Sequence, residues 1–134
     1  MIKIINKLYH PEQKLCQLVE STILKTNFKV IGKEVPIKFP DKGKCDLWLS
    51  NNNNFLLSLE LKTNKNKIDH LGKQVIKYTN GLSHIFPEYY VCGIGLCVDD
   101  DYVRWLNYKI NHNDYINQEI NKLKNEIFND LKYT

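Results

Sequence analysis

The stretch CDLWLSNNNNFLLSLELK, residues 45–62, constrains the fold more than any other part of the chain. Two apolar runs, Cys45–Ser50 and Phe55–Lys62, flank the polar loop Asn51–Asn54, which is the composition of strand, turn and strand. In an antiparallel hairpin the numbers of facing residues sum to a constant. A sum of 106 centres the turn at Asn53 and opposes Leu47 with Leu59, Leu49 with Leu57, and Asp46 with Glu60. Alternation then puts Leu47, Leu49, Leu57, Leu59 and Leu61 on one face, and Asp46, Trp48, Ser58, Glu60 and Lys62 on the other. Setting Asp41 opposite Glu60 instead would move the centre of the turn from the middle of the Asn run to its edge at Ser50-Asn51, against the apolar run. Asp41 therefore reads as a turn residue, and the leucine face is expected in a core, with the charged face left together.

Around this hairpin the chain alternates helical and extended patterns. His10-Pro11-Glu12 opens a helical stripe through Leu15, Leu18, Val19, Thr22 and Ile23, ending near Thr26-Asn27. Residues 28–39 read as one extended stretch broken at Gly32 and Pro36, and Asp41–Lys44 as a turn. After a polar connector, Asn64–Lys67, the stripe Ile68, Leu71, Val75 and Leu82 predicts a helix ending near Gly81. Tyr89–Val98 is β-rich, and its Gly93 and Gly95 point to a bulge or to close backbone approach. Asp99-Asp100-Asp101 reads as a hairpin turn into a strand over Tyr102–Ile110. Ile116, Ile120, Leu123, Ile127 and Leu131 mark an amphipathic last helix, which either covers the sheet or forms a dimer seam. The order α-β-β-β-α-β-β-α over 134 residues predicts a single α/β domain.

Composition narrows the function classes only a little. No apolar run is long enough to span a bilayer, and MIKIINKLYH has no secretory h-region, so an intracellular, reducing setting is expected. Cys16, Cys45, Cys92 and Cys97 lack metal-ligand spacing and read as core thiols. The net charge of +4 is compatible with a polyanion, but lysine supplies nearly all of it, Arg104 being the only arginine. Abundant Lys, Asn and Ile match the residue usage of an A+T-rich genome, so charge alone does not point to nucleic acid.

The charged face is where chemistry is expected. Two carboxylates facing each other on neighbouring strands repel unless a cation lies between them. Their hard oxygens suit Mg²⁺ or Mn²⁺. Lys62, two residues beyond Glu60, adds a fixed positive charge beside such an ion. A divalent metal activates water and polarises a phosphoryl oxygen, and an adjacent ammonium stabilises the transition-state charge. The same triplet also fits a solvated salt-bridge patch.

Asp46, followed on the next strand by Glu60-Leu61-Lys62, resembles the PD-(D/E)XK phosphodiesterase superfamily, and the resemblance covers roughly residues 12–98. It implies a restriction-endonuclease-like α-β-β-β-α-β core, a mixed sheet flanked by helices, here extended by an extra strand and a C-terminal helix. It implies a Mg²⁺- or Mn²⁺-dependent nuclease, acting on DNA more readily than RNA, or a catalytically inactive nucleic-acid-binding or assembly domain of the same fold. By that resemblance Asp46 is the motif aspartate, Glu60 the metal-binding acid, Lys62 the catalytic lysine and Glu20 the helical acid, with the Leu61 carbonyl a further metal ligand. Gln74 and Tyr78 are similar to the Gln-x-x-x-Tyr element of RecB-type and type I restriction nucleases, which supports the site. Cys45 stands where the superfamily's name has proline. Read without the resemblance, Glu20 is an ordinary surface glutamate and His70 a surface histidine. Lys65, Lys67, Lys73 and Lys77 either track a phosphate backbone or form a solvated face. Cleavage of two strands needs two sites, so a homodimer is compatible with this reading.

Overall fold

A computed structural model describes residues 12–37, 43–51, 55–100, 102–109 and 114–132. Its elements are α1 (Glu12–Ile23), β1 (Lys29–Ile37), β2 (Gly43–Asn51), β3 (Phe55–Lys62), α2 (Ile68–Ile85), β4 (Tyr90–Asp99), β5 (Tyr102–Tyr108) and α3 (Asp114–Lys132). A short 3-10 turn over Lys65–Lys67 leads into α2. The five strands form one mixed sheet in the order β1-β2-β3-β4-β5. β3 and β4 are parallel and the other neighbours antiparallel. Parallel strands require a crossover, and α2 is that crossover. The chain is thus an α/β protein with one five-stranded sheet and three helices among the described residues.

The β2–β3 register has the expected sum. Leu47 faces Leu59, Trp48 faces Ser58 and Leu49 faces Leu57. The leucine face meets α1 and α3. Leu15, Val19 and Ile23 of α1, and Ile116, Ile120, Leu123, Ile127 and Leu131 of α3, pack with Leu47, Leu57, Leu59, Ile94 and Leu96. The apolar stripe of α3 is therefore spent on covering the sheet, not on a dimer seam.

The opposite face is also covered. α2 lies across it, with Leu71 and Val75 packing on Cys97, and Tyr78 and Leu82 on Trp48, Leu56 and Val91. A Cβ built on Gly93 would collide with Thr79 Oγ1 and stand 3.1 Å from Val75 Cγ1; one on Gly95 would stand 2.8 Å from Val75 Cγ2. Of the two roles open to these glycines, close backbone approach is the one observed.

Several boundaries differ from expectation, beginning with α1, which ends at Ile23 and not near Thr26-Asn27. β1 runs through Pro36, which pairs with Lys44, and Gly32 marks a register shift between Val30 and Gly32. β1 is an edge strand, where a missing N–H costs no ladder bond on the outer side. β2 begins at Gly43, before the expected Cys45. α2 continues four residues past Gly81, because Gly81 and Leu82 are buried inside its packing face. The β4–β5 hairpin is as expected: Asp99 pairs with Tyr102, and Asp100 adopts the left-handed conformation at φ 52°. Asp41, the Asn52–Asn54 turn tip and Asp101 lie outside the described residues.

Candidate active site

The β2–β3 ladder stops at Leu47 and Leu59, one pair short of Asp46 and Glu60. There side chains take over from the backbone. The Asp46 N–H donates to Glu60 Oε1 at 3.1 Å, and the Leu61 N–H donates to Asp46 Oδ2 at 2.9 Å. Each carboxylate is thereby fixed to the other's strand, and the two acids are held together at the point where the strands part. Asp46 Oδ1 accepts no hydrogen bond among the described residues.

Glu60 is only 1% exposed, which departs from the open charged face the alternation pattern suggests. The cause is α2, which roofs that face. A carboxylate at this depth is costly unless hydrogen-bonded or paired with a cation. The Asp46 N–H supplies part of what it needs.

Lys62 projects from the last residue of β3, opposite Cys97 of β4. It is 18% exposed at its side chain, and its Nζ stands 3.8 Å from Glu12 Oε1. Glu12, in the first turn of α1, is the residue that sequence reading missed. The helix carries two acids eight residues apart, about 12 Å along its axis, and nothing local says which end abuts the strand ends.

Glu20 is engaged elsewhere. Its Oε1 accepts from Lys33 Nζ at 2.9 Å and from the Cys16 thiol at 3.4 Å. Burial, then the hydrogen bond and negative charge of Glu20, push the Cys16 thiol up to about 12; the charge of Asp46 adds to this and Lys33 opposes it. Cys16 therefore lies within electrostatic reach of Asp46. Cys97, buried beside Lys62's row, is pushed up to about 11 by burial, with help from Asp99 and Glu12. Cys16, Cys92 and Cys97 are free thiols, while the Cys45 side chain lies outside the description.

Gln74 and Tyr78 share a side of α2. Tyr78 is buried against Trp48, two residues along β2 from Asp46. Gln74 Oε1 and Trp48 Nε1 are buried without a hydrogen-bond partner among the described residues. His70, Lys65, Lys67 and Lys73 are exposed, and Lys77 is half-buried with Nζ 5.7 Å from the Tyr78 ring centre. The N–H of Lys65 caps onto Asp99 Oδ2 at 2.8 Å, tying the exit of β3 to the β4–β5 turn.

No group of three or more His, Cys, Asp or Glu side chains able to hold a metal occurs among the described residues. Asp46 and Glu60 are nonetheless tied across the strands by their two hydrogen bonds to backbone N–H groups. That pair fits Mg²⁺, which commonly takes one or two carboxylates and completes its shell with water and substrate phosphate. No helix among the described residues is long and apolar enough to cross a membrane.

Comparison with known proteins finds no matching family model and no matching curated sequence. Among solved structures the chain is similar to that titled "Crystal structure of SSO0001", at 20% identity and a TM-score of 0.39. The match covers 91% of this chain and 62% of that one, so this chain spans less than two thirds of its neighbour.

Proposed function

We propose that this chain is a Mg²⁺- or Mn²⁺-dependent nuclease of the PD-(D/E)XK type, built on a restriction-endonuclease-like core and hydrolysing phosphodiester bonds, DNA in preference to RNA. The observation that carries the reading is the reciprocal tie between Asp46 and Glu60 at the point where β2 and β3 part, with Lys62 two residues on. Asp46, Glu60 and the Leu61 carbonyl would hold the ion. Glu20 would join them only by leaving Lys33, whereas Glu12 already borders Lys62. A bound metal would supply an activated water and a polarised phosphoryl oxygen.

The chain's own groups do the rest. The tie to backbone N–H groups fixes the orientation of both carboxylates before substrate arrives, so little reorganisation is needed at the transition state. Lys62 places its ammonium beside the phosphate and stabilises the charge that gathers on its oxygens as the water oxygen bonds to phosphorus and the leaving oxygen departs. α2 excludes water from the Glu60 side, and Gln74, with its unpartnered carbonyl, faces this layer as a supporting polar group. The exposed Lys65, Lys67 and Lys73 offer contacts to a phosphate backbone. A homodimer would supply the second site needed to cut both strands of a duplex.

The second reading is a non-catalytic nucleic-acid-binding or assembly domain of the same fold, favoured by the engagement of Glu20 with Lys33. The discriminating experiment incubates the chain with labelled single-stranded, duplex and branched DNA, and with RNA, in Mg²⁺, Mn²⁺ or EDTA, while binding is followed in parallel. Metal-dependent cleavage supports the nuclease. Binding to these substrates with no cleavage in either metal refutes it in favour of the binding domain.

A further inference from the structure

On the far side of the molecule from α2, a cleft of about 260 Å³ opens between β5 and α3, lined by Asn107, Asn117, Ile120, Asn121 and Lys124. On α3, Asn117, Asn121 and Lys124 follow one another at helical spacing and share a side, while Ile120 is buried in the core. Asn107 comes from the edge strand β5.

Lys124 is unusual among the lysines. Its Nζ donates to Asn107 Oδ1 and lies 5.6 Å from the centre of the Trp105 ring. It forms no ion pair among the described residues, and no carboxylate lines the cleft. Burial lowers its pKa, which is the mark of a cation that has lost water without gaining a counter-charge. Nearby, Asn117 Oδ1 is buried with no hydrogen-bond partner. The wall therefore lacks two things: an anion for Lys124 and a hydrogen-bond donor for Asn117.

A metal ion is excluded by the ammonium, and an apolar ligand by the three amides. What fits is an anion that also carries hydroxyl groups. The volume lies below the roughly 300 Å³ at the lower end of sites that enclose a whole small molecule. It suits a phosphate with its sugar better than a complete nucleotide. We propose that this cleft binds the sugar-phosphate part of a nucleotide, with the phosphate on Lys124 and Asn107 Nδ2, and with the Asn117 amide turning outward so that its buried, unpartnered Oδ1 accepts from a sugar hydroxyl. The site is separate from the Asp46–Glu60 centre and does not depend on the nuclease reading. A free nucleotide and the phosphorylated end of a strand present the same chemistry.

The test uses the full chain, ¹⁵N-labelled, in metal-free buffer. The indole N–H signal of Trp105 reports on the cleft, and that of Trp48, buried under α2, serves as the internal control. The probes are AMP, adenosine, inorganic phosphate, and one oligonucleotide with and without a 5′-phosphate. AMP should shift Trp105 and the backbone signals of residues 117–124 saturably, leave Trp48 unmoved, and bind at least tenfold more tightly than adenosine or phosphate. Response to AMP identifies a free nucleotide as sufficient, and response only to the 5′-phosphorylated oligonucleotide identifies a strand end. Lys124→Gln, and Asn117→Asp, which places a carboxylate of the same shape beside the phosphate, should each weaken binding at least tenfold with unchanged circular dichroism. The proposal is overturned if neither AMP nor the 5′-phosphate shifts Trp105, if adenosine or phosphate matches AMP, or if both variants bind like wild type.

Discussion

Replacing Gly93 by alanine tests whether α2 is pressed onto β4 as closely as the structure has it. The added methyl would collide with Thr79 Oγ1 and stand 3.1 Å from both Thr79 Cβ and Val75 Cγ1. None of these is the free end of a flexible chain, since Thr79 and Val75 are β-branched and stiff at χ1. Relief requires α2 to lift from the sheet. Overpacking a tight core typically costs about 1–3 kcal/mol, and a collision with two buried helix residues belongs at the upper end, about 3 kcal/mol. For a chain of this size that is a fall in Tm of about 10 °C. Thr79 Oγ1 is buried and unpartnered, so Thr79→Ala breaks no hydrogen bond and should cost about 1 kcal/mol or less. In the double variant the new methyl occupies the space of the lost hydroxyl. The cycle should show a favourable coupling of about 1.5 kcal/mol or more. Urea denaturation followed by circular dichroism measures all four proteins. Gly93→Ala with wild-type stability, or strictly additive effects, would refute this packing and with it the roof over Glu60.

Four further outcomes follow from the site and its surroundings. Glu60→Gln keeps an oxygen that can accept the Asp46 N–H, so its Tm should stay within a few degrees of wild type, while Mn²⁺ affinity by calorimetric titration falls at least tenfold. Glu12→Gln should reduce turnover more than Glu20→Gln, because Glu12 borders Lys62 whereas Glu20 is held by Lys33; a larger effect at Glu20 would reassign the helical acid. Asp130 accepts hydrogen bonds from Thr22 at 2.6 Å and Lys25 at 2.9 Å, which lower its pKa below the usual 3.8. Its stabilising contribution is therefore complete above the ordinary carboxylate range and lost as pH falls through the lowered value, so Asp130→Asn should narrow the gap in Tm to wild type between about pH 5 and pH 2. Cys16 and Cys97, pushed up to about 12 and about 11, should resist alkylation at pH 8 in the native state and react on unfolding, since the thiolate is the reactive form.

The hairpin was readable because three constraints coincide. A polar Asn run fixes the turn, leucine alternation fixes the faces, and side-chain parity permits only even sums that keep Asp46 beside Glu60. The paired glycines of β4 were half legible: they read as a bulge or as close backbone approach, and only the packing of α2 on them selects the second. Three features were not legible. Alternating charge on β2 and β3 reads as a solvent face, yet the small residues of β4 draw α2 over it and bury Glu60. Two acids on α1 look alike in sequence, and only their partners in the folded chain, Lys62 for Glu12 and Lys33 for Glu20, separate them. Pro36 and Gly81 read as stops, but Pro36 sits on an edge strand and Gly81 lies within a packed helix, so tertiary contacts carry the element through both.

The measurement that tests the nuclease account most directly is single-turnover cleavage of labelled DNA in Mg²⁺ and Mn²⁺ by wild type and Lys62→Ala, purified in parallel, with EDTA controls and folding checked by circular dichroism. The account predicts metal-dependent cleavage by wild type and a loss of about 100-fold or more in the variant, the scale expected when a group stabilising transition-state charge is removed. Equal rates for the two proteins, or cleavage that persists in EDTA, would contradict it.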